Sequence, residues 1–196
     1  MQKDNLFSAK KLVYGALFAA LAIVLGRITA VYPIPGVKYA LDKFVLFLSG
    51  MFFGPVAGGM IGFVADFIGG HLFGIGWTAP LCVPAILYGV FGGLFRKYLL
   101  KNFTLPRLAL SYLFPIVIGS ILYQSPVLAL LYSPTTFWTA TCTYLLSRSV
   151  QFAIMLVLEA GLIYGLIKAN IFSRTGLWLN NKTKKESDEN DRQASH

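Results

Sequence analysis

Charged residues are rare along most of this chain and leave long apolar runs between them. Residues 44–65, 67–95 and 108–147 contain no Asp, Glu, Lys or Arg, and only eleven charged residues lie between Leu12 and Ile167. A helix needs roughly 20 mostly apolar residues to cross a bilayer. The longest of these runs is long enough to cross, turn and return. The pattern therefore predicts an all-α, polytopic membrane protein.

Proline and glycine divide the apolar runs into six predicted helices. Pro33 and Pro35 end the first helix, because proline cannot continue a helical hydrogen-bond ladder, and Gly54-Pro55 predicts a tight turn. Pro115 and Pro126 predict a bend in the fifth helix. The predicted helices cover approximately residues 8–31, 39–53, 56–73, 80–100, 108–131 and 137–171.

Composition excludes an ordinary soluble domain. The chain is 56% hydrophobic and 13% charged, whereas a soluble domain carries about 25% charged residues. We expect one membrane domain over residues 1–175. The segment 176–196 is polar and mixed in charge, so we expect a disordered cytoplasmic tail.

The distribution of basic residues predicts that both termini are cytoplasmic. The net charge is +9, and the basic residues flank the apolar segments, which favours membrane orientation over nucleic-acid binding. In this orientation thirteen of the seventeen Lys and Arg residues face the cytoplasm. The other four break the positive-inside rule because they lie in or near the outer half: Arg27, Lys38, Lys43 and Arg148.

Cations at such depth persist when they face protein or a water-filled cavity. Arg27 and Arg148 would together favour an anionic ligand, and a guanidinium suits a carboxylate because it binds as a fork. The alternative is internal pairing, of Arg27 with Asp66 or Asp42 and of Arg148 with Glu159. For the two arginines together, ligand binding is the favoured interpretation.

Aromatic residues cluster near the predicted outer ends of the helices. Trp and Tyr belt the interfaces of any membrane protein, so an interfacial role is the alternative for each. Trp77 differs because it follows Gly74-Ile75-Gly76, where a mobile lid is plausible. Aromatic walls together with cations suit a flat heteroaromatic ligand that also bears acids. The set is Tyr32, Phe73, Trp77, Tyr123, Tyr132, Trp138 and Tyr144.

Small residues repeat at four-residue spacing on two predicted helices, and such faces allow close helix approach. For Gly58 and Gly62 we expect packing inside the domain. For Ala16 and Ala20 on the first helix, packing and docking of another membrane protein are equally favoured.

No chemistry-bearing motif indicates an enzyme. The chain has no G-x-x-x-x-G-K-[ST] phosphate loop, metal-ligand spacing or nucleophile elbow, so we expect no cofactor, no metal and no ATP hydrolysis by this chain. Asp66 and Glu159 are isolated acids in predicted helices. A proton-coupled secondary transporter that uses them as carriers is therefore an alternative class, and a membrane-embedded enzyme or chaperone-like subunit is a third.

The stretch Phe47–Gly69, with Gly54-Pro55, Gly58, Gly62 and Asp66, resembles the substrate-binding S components of energy-coupling factor (ECF) vitamin transporters. Size, six helices and the Ala-x-x-x-Ala of the first helix fit the same family. The resemblance covers roughly residues 8–172. The chain is most similar to the folate-type branch, through Arg27, Pro33-Ile34-Pro35, Lys38, Leu72-Phe73-Gly74 and Arg148-Ser149-Val150-Gln151.

This resemblance implies a vitamin-binding subunit that works with a transmembrane T component and two cytoplasmic ATPases. Folate is the favoured vitamin, with pantothenate or hydroxymethylpyrimidine as alternatives. The resemblance implies that carboxylates of the ligand are bound by Arg27, Lys38 and Arg148, and that its ring is stacked or walled by Tyr32, Trp77 and Tyr123. It implies hydrogen bonds to the ligand from Gln124 and Asp66, and contact with the T component through Ala16 and Ala20.

Overall fold

A computed structural model of the protein describes residues 9–34, 37–72, 77–101 and 104–168. Within these residues the chain is helical apart from one short β-hairpin and the connections. The elements in chain order are α1 (Ala9–Ile28), β1 (Val31–Ile34), β2 (Val37–Tyr39), α2 (Lys43–Phe53), α3 (Pro55–Leu72), α4 (Ala79–Leu94), α5 (Arg96–Lys101), α6 (Leu105–Pro115), a π-helical segment (Ile116–Tyr123), α7 (Gln124–Tyr132), a 3₁₀ turn (Pro134–Thr136) and α8 (Phe137–Lys168).

Helices α2, α3 and α4 pack with their backbones in close approach at glycine positions. A Cβ atom at Gly58 would lie 2.6 Å from the Gly89 carbonyl oxygen, and one at Gly62 would lie 2.8 Å from the Ala85 carbonyl carbon. No larger residue fits at either position without displacing backbone. The expectation that Gly58 and Gly62 pack inside the domain is therefore confirmed.

The connection from α1 to α2 differs from the prediction. Instead of a simple break, β1 and β2 pair as an antiparallel hairpin in which Val31 lies opposite Tyr39. The second helix begins at Lys43, four residues later than the predicted start at Tyr39. The residues preceding it are engaged with α1, because the Thr29 hydroxyl accepts a hydrogen bond from the Leu41 N–H at 2.9 Å.

The fifth predicted helix is continuous from Leu105 to Tyr132, but its middle is π-helical instead of α-helical. Pro115 ends α6, and the following residues Ile116–Tyr123 form π-helical turns before α7 resumes at Gln124. The bend expected from the prolines is thus a widening of the helix, and π-helical turns are frequent at functional sites. The wider turns present the Ser120 backbone to α8.

When α4 is taken with the short α5, and α6 with the π-helical segment and α7, the helices form six segments. These confirm the predicted all-α, six-helix architecture. Three of them are long and apolar enough to cross a membrane: Pro55–Leu72, Leu105–Tyr132 and Pro134–Lys168. Shorter apolar helices occupy Leu12–Ile28, Lys43–Phe53 and Ala79–Leu94. Apolar side chains such as Leu17, Leu146 and Val157 are exposed on the outside of the bundle, as contact with lipid requires. The predicted boundary at residue 175 and the tail 176–196 lie outside the described residues.

Candidate ligand-binding site

A cavity of about 250 Å³ is lined by residues from all six helical segments. α1, α3 and α7 each present residues one helical turn apart, so each contributes a continuous stripe to the wall. The wall combines small apolar residues with five charged ones. The charged members are Arg27, Asp42, Lys43, Asp66 and Arg148.

Arg148 is the most deeply buried of the cavity cations. It lies on α8 with 4% of its surface exposed. Its Nη1 donates to the Ser120 carbonyl oxygen at 3.0 Å and to Gln124 Oε1 at 2.9 Å, and its guanidinium carbon lies 5.9 Å from the Phe152 ring centroid. The π-helical segment and α7 therefore hold this cation at the edge of the cavity, where an ionised group is tolerated because polar atoms surround it.

Arg27 occupies the last turn of α1. Its Nη2 donates to the Gly69 carbonyl oxygen on α3 at 2.5 Å, which ties the C-terminal end of α1 to the last turn of α3. Asp66 and Gly70 lie on the same stripe of α3 and line the same cavity. Arg27, Asp42 and Asp66 thus share one cavity, as either of the predicted internal pairings requires.

Lys43 and Asp42 form an ion pair where the chain enters α2. The Lys43 Nζ lies 3.0 Å from Asp42 Oδ2, with 22% and 16% of the respective side chains exposed. The same Nζ lies 6.0 Å from the centroid of the Tyr88 ring, at the distance limit of a cation–π interaction. Tyr88 is fully buried, and its hydroxyl lies 3.2 Å from the Ser120 Oγ. Tyr88 therefore lies beneath Lys43 and beside the residue whose carbonyl holds Arg148.

Trp77 forms an aromatic wall beside the C-terminal end of α3. Its ring centroid lies 5.1 Å from that of Phe67 and 6.0 Å from that of His71. Gly70 makes this contact possible, because a Cβ there would lie 3.0 Å from the Trp77 Cβ. The Trp77 Nε1 is buried and makes no hydrogen bond within the described part of the chain. A buried donor of this kind is costly, so a ligand acceptor would stabilise it.

The structure brings five of the eight predicted binding residues together in this cavity. These are Arg27, Asp66, Trp77, Gln124 and Arg148. Tyr123 is half-buried at the end of the π-helical segment, and the cavity lining does not include it. Tyr32 and Lys38 lie in β1 and β2, and their side chains lie outside what the structure describes.

Asp42, Lys43 and Tyr132 also line the cavity, and they are outside the set of predicted binding residues. A signal for each was present in the sequence. Lys43 is one of the four basic residues that break the positive-inside rule, Asp42 was considered only as a partner for Arg27, and Tyr132 belongs to the aromatic set. Their convergence depends on where α2 begins and on the turn of α7, neither of which local sequence specifies.

The alternative pairing of Arg148 with Glu159 is wrong. Both residues lie on α8, eleven positions apart, which corresponds to about 16 Å of helical rise. Glu159 is fully buried and accepts a hydrogen bond from the Tyr112 hydroxyl at 2.5 Å. Its partner is therefore a phenol on α6, and the two polar residues fasten α8 at two separate levels.

Comparison with known proteins identifies the family. The model for "ECF-type riboflavin transporter, S component" matches residues 6–169. The chain belongs to this family. The S component is accordingly a membrane-embedded transporter subunit and not an enzyme, which confirms the resemblance noted in the sequence.

A solved structure supports the same conclusion. The S component superimposes on a crystal structure of FolT bound with folic acid with a TM-score of 0.69 and 26% sequence identity, over 82% of this chain and 93% of FolT.

Sequence relatives are also found. The UPF0397 protein of Streptococcus pneumoniae serotype 19F (strain G54) is 34% identical over 92 residues, which are 47% of this chain and 50% of that protein. The corresponding protein of strain CGSP14 matches equally. The chain thus spans about half the length of the curated relatives it matches.

The α1 face predicted for docking is exposed in the S component. Ala16 and Ala20 both lie on the surface of α1. Ala16 also lines an apolar groove of about 270 Å³ between α1 and α3, with Gly15, Ala19, Phe53, Val56, Ala57, Met60, Ile61 and Val64 among its neighbours. The described chain therefore leaves this small-residue face uncovered.

Proposed function

We propose that this S component binds folate in the cavity lined by Arg27, Trp77 and Arg148 and delivers it across the membrane. The observation that carries the proposal is the grouping of two arginines and Lys43 with an aromatic wall in one cavity. Folates carry a flat pterin ring and, at neutral pH, two carboxylates. Cationic forks and an aromatic face are complementary to those two parts.

Individual side chains have distinct roles in this proposal. Arg27 and Arg148 bind carboxylates, and Trp77 stacks on or walls the ring while its buried Nε1–H meets a ligand acceptor. Asp66 accepts hydrogen bonds from ring N–H groups, as Gln124 does while holding Arg148. Tyr32 and Lys38, on the hairpin next to the end of α1, and Tyr123 complete the set carried over from the resemblance.

Riboflavin is the second candidate, because the matching family model bears its name. Riboflavin has no carboxylate, so it offers the basic groups of the cavity no anionic group to bind. The folic acid in the FolT structure and the charges of the cavity together favour folate. Pantothenate, which has one carboxylate, and hydroxymethylpyrimidine, which has none, are the further alternatives.

Calorimetric titration of the purified protein with these four compounds tests the assignment. We expect the tightest binding for folic acid and weak competition by the uncharged compounds. Tight binding of riboflavin with none of folic acid would overturn the folate assignment while leaving the family membership intact. Failure to bind any of the four would reject the proposed ligand class.

We also propose that transport requires a T component and two ATPase subunits, with Ala16 and Ala20 contacting the T component. The proton-coupled alternative uses Asp66 and Glu159 as carriers; Asp66 lines the cavity, whereas Glu159 is fully buried. Folate uptake by cells that express the S component with its partners should therefore follow ATP and survive collapse of the proton gradient. Uptake by the S component alone, abolished by a protonophore, would favour the secondary transporter.

A further inference from the structure

Lys43 is a cavity cation that the family resemblance did not single out. It is the first residue of α2 and lines the same cavity as Arg27 and Arg148. Only 22% of its side chain is exposed, so its ammonium has lost part of its hydration. The Lys43 ammonium lies 6.0 Å from the centroid of the fully buried Tyr88 ring and 3.0 Å from the Asp42 carboxylate.

Asp42 departs from the usual behaviour of its position. It is the N-cap residue of α2, where an Asp side chain normally accepts a hydrogen bond from the N–H of the second or third helical residue. Here its side chain makes no capping hydrogen bond, and its backbone is in the right-handed helical region. The carboxylate contacts Lys43 instead, while its Cβ lies 3.1 Å from where a Cβ on Gly26 would lie. A local rule broken beside a ligand cavity is the pattern expected of a functional residue.

We propose that Lys43 is a specificity-determining residue, which binds an acid group of the ligand in exchange for Asp42. This inference rests on the proposed function, since it requires a ligand that carries a carboxylate. Asp42 holds the ammonium in the cavity wall until the ligand acid replaces it.

The pair is suited to such an exchange. Lys43 and Asp42 are adjacent in sequence and keep 22% and 16% of their side chains exposed, so the ion pair is not sealed off from a ligand that enters the cavity. A ligand carboxylate in this cavity would meet Arg27 and Arg148 as well as Lys43, so it competes with Asp42 from a site of several cations. An uncharged ligand has no means of displacing Asp42 and gains nothing from Lys43.

Titration of folic acid into the purified full-length protein and its variants tests the exchange. Lys43→Met should weaken folic acid binding at least about tenfold, and Lys43→Arg should keep it within about threefold. Asp42→Asn should tighten binding by about threefold or more, because the competing charge is removed. That gain should disappear in the double variant Asp42→Asn/Lys43→Met, because without the Lys43 ammonium the charge at position 42 no longer competes with the ligand for it. Lys168→Met, at the exposed end of α8, is the matched control and should change nothing.

Each result has a defined meaning. Unchanged affinity in Lys43→Met, weaker binding in Asp42→Asn, or a gain that persists in the double variant overturns the exchange while the proposed function stands. Wild-type protein that binds riboflavin but not folic acid, or neither, overturns both. Thermal melting identifies any variant that fails to fold. If Lys43→Met does not fold, the other two variants decide the question. Loss of folic acid binding in Lys43→Arg, or weaker binding in Asp42→Asn, then counts against the exchange.

Discussion

Hydrogen bonds to neighbouring helices fix the orientation of the Arg148 guanidinium inside the membrane domain. Its Nη1 is held by a backbone carbonyl and by the Gln124 side chain, so the guanidinium keeps one orientation toward the cavity. Arg27 is likewise anchored on the Gly69 carbonyl. Anchors of this kind pre-order the cations and lower the entropy lost when a ligand binds.

Loss of either arginine should weaken folic acid binding. A hydrogen bond to a charged group contributes roughly 1.5–3 kcal/mol, and each 1.4 kcal/mol is a factor of about ten in affinity. Arg27→Ala and Arg148→Ala should therefore each weaken binding at least about tenfold. Arg27→Lys and Arg148→Lys should keep only part of the folic acid affinity, because an ammonium cannot form the planar fork of a guanidinium.

Calorimetry on the purified variants measures this effect. Arg96→Ala is the control, since Arg96 begins α5 and lies outside the cavity lining. Affinity that is unchanged in both alanine variants would contradict the role assigned to the arginines.

The arginines and Asp66 could be predicted because a charge inside a membrane segment has a high free-energy cost. A charge within an apolar run is visible in sequence because it is expensive in a bilayer, so Arg27, Asp66 and Arg148 were found as candidates. The anchors were not predictable. The Ser120 and Gly69 carbonyls are backbone atoms that every residue has, and only the assembled helices show which of them lie within reach.

At the scale of elements, α8 is fastened to α6 through a buried polar contact. The Tyr112 hydroxyl donates to Glu159 Oε2, while Glu159 Oε1 has no hydrogen-bond partner among the described residues. Tyr112→Phe should lower the free energy of unfolding by about 1–3 kcal/mol, because a buried carboxyl loses its donor.

Thermal or denaturant unfolding in detergent measures this loss. Tyr98→Phe is the matched control, since Tyr98 is 45% exposed. Equal stability of the Tyr112→Phe variant and wild type would show that the contact contributes nothing.

The exposed face of α1 should matter for transport but not for ligand binding. A tryptophan at Ala16 or Ala20 would hold a partner helix away, whereas both positions are exposed in the described bundle. Ala16→Trp and Ala20→Trp should therefore abolish uptake in cells and leave calorimetric binding by the isolated protein intact.

Leu146→Trp, on the exposed side of α8, controls for bulk at a lipid-facing position and should transport normally. If binding is lost together with uptake, the α1 face serves packing within the domain instead.

Local signals explain which elements could be predicted. Apolar length and proline position determined the six helical segments closely, because a span depends on its own residues. The β1–β2 hairpin was missed, since its prolines were interpreted only as a helix break and pairing of Val31 with Tyr39 depends on the ends of two helices. The π-helical turns were predicted only as a bend, because proline predicts irregularity without specifying its form.

At the scale of the whole molecule, the cavity and the exposed α1 face are separate surfaces that share one helix. Arg27 lies in the last turn of α1, and Ala16 lies eleven residues earlier, or about 16 Å along the helix axis. A rigid α1 would thus connect the cavity with the proposed partner surface nearer the other membrane face. Which of the two surfaces faces outward depends on the orientation of α1 in the membrane.

Thiol labelling in intact cells determines that orientation. The distribution of basic residues places Lys38 outside and Lys101 inside. A cysteine introduced at Lys38 should therefore react with a membrane-impermeant thiol reagent, and one at Lys101 should react only after the cells are opened. Cys142 is exposed and Cys82 is buried, so both must first be replaced, and the cysteine-free protein provides the background. Labelling of position 101 but not 38 in intact cells would invert the molecule, placing the cavity on the cytoplasmic side where it could not collect a vitamin from outside.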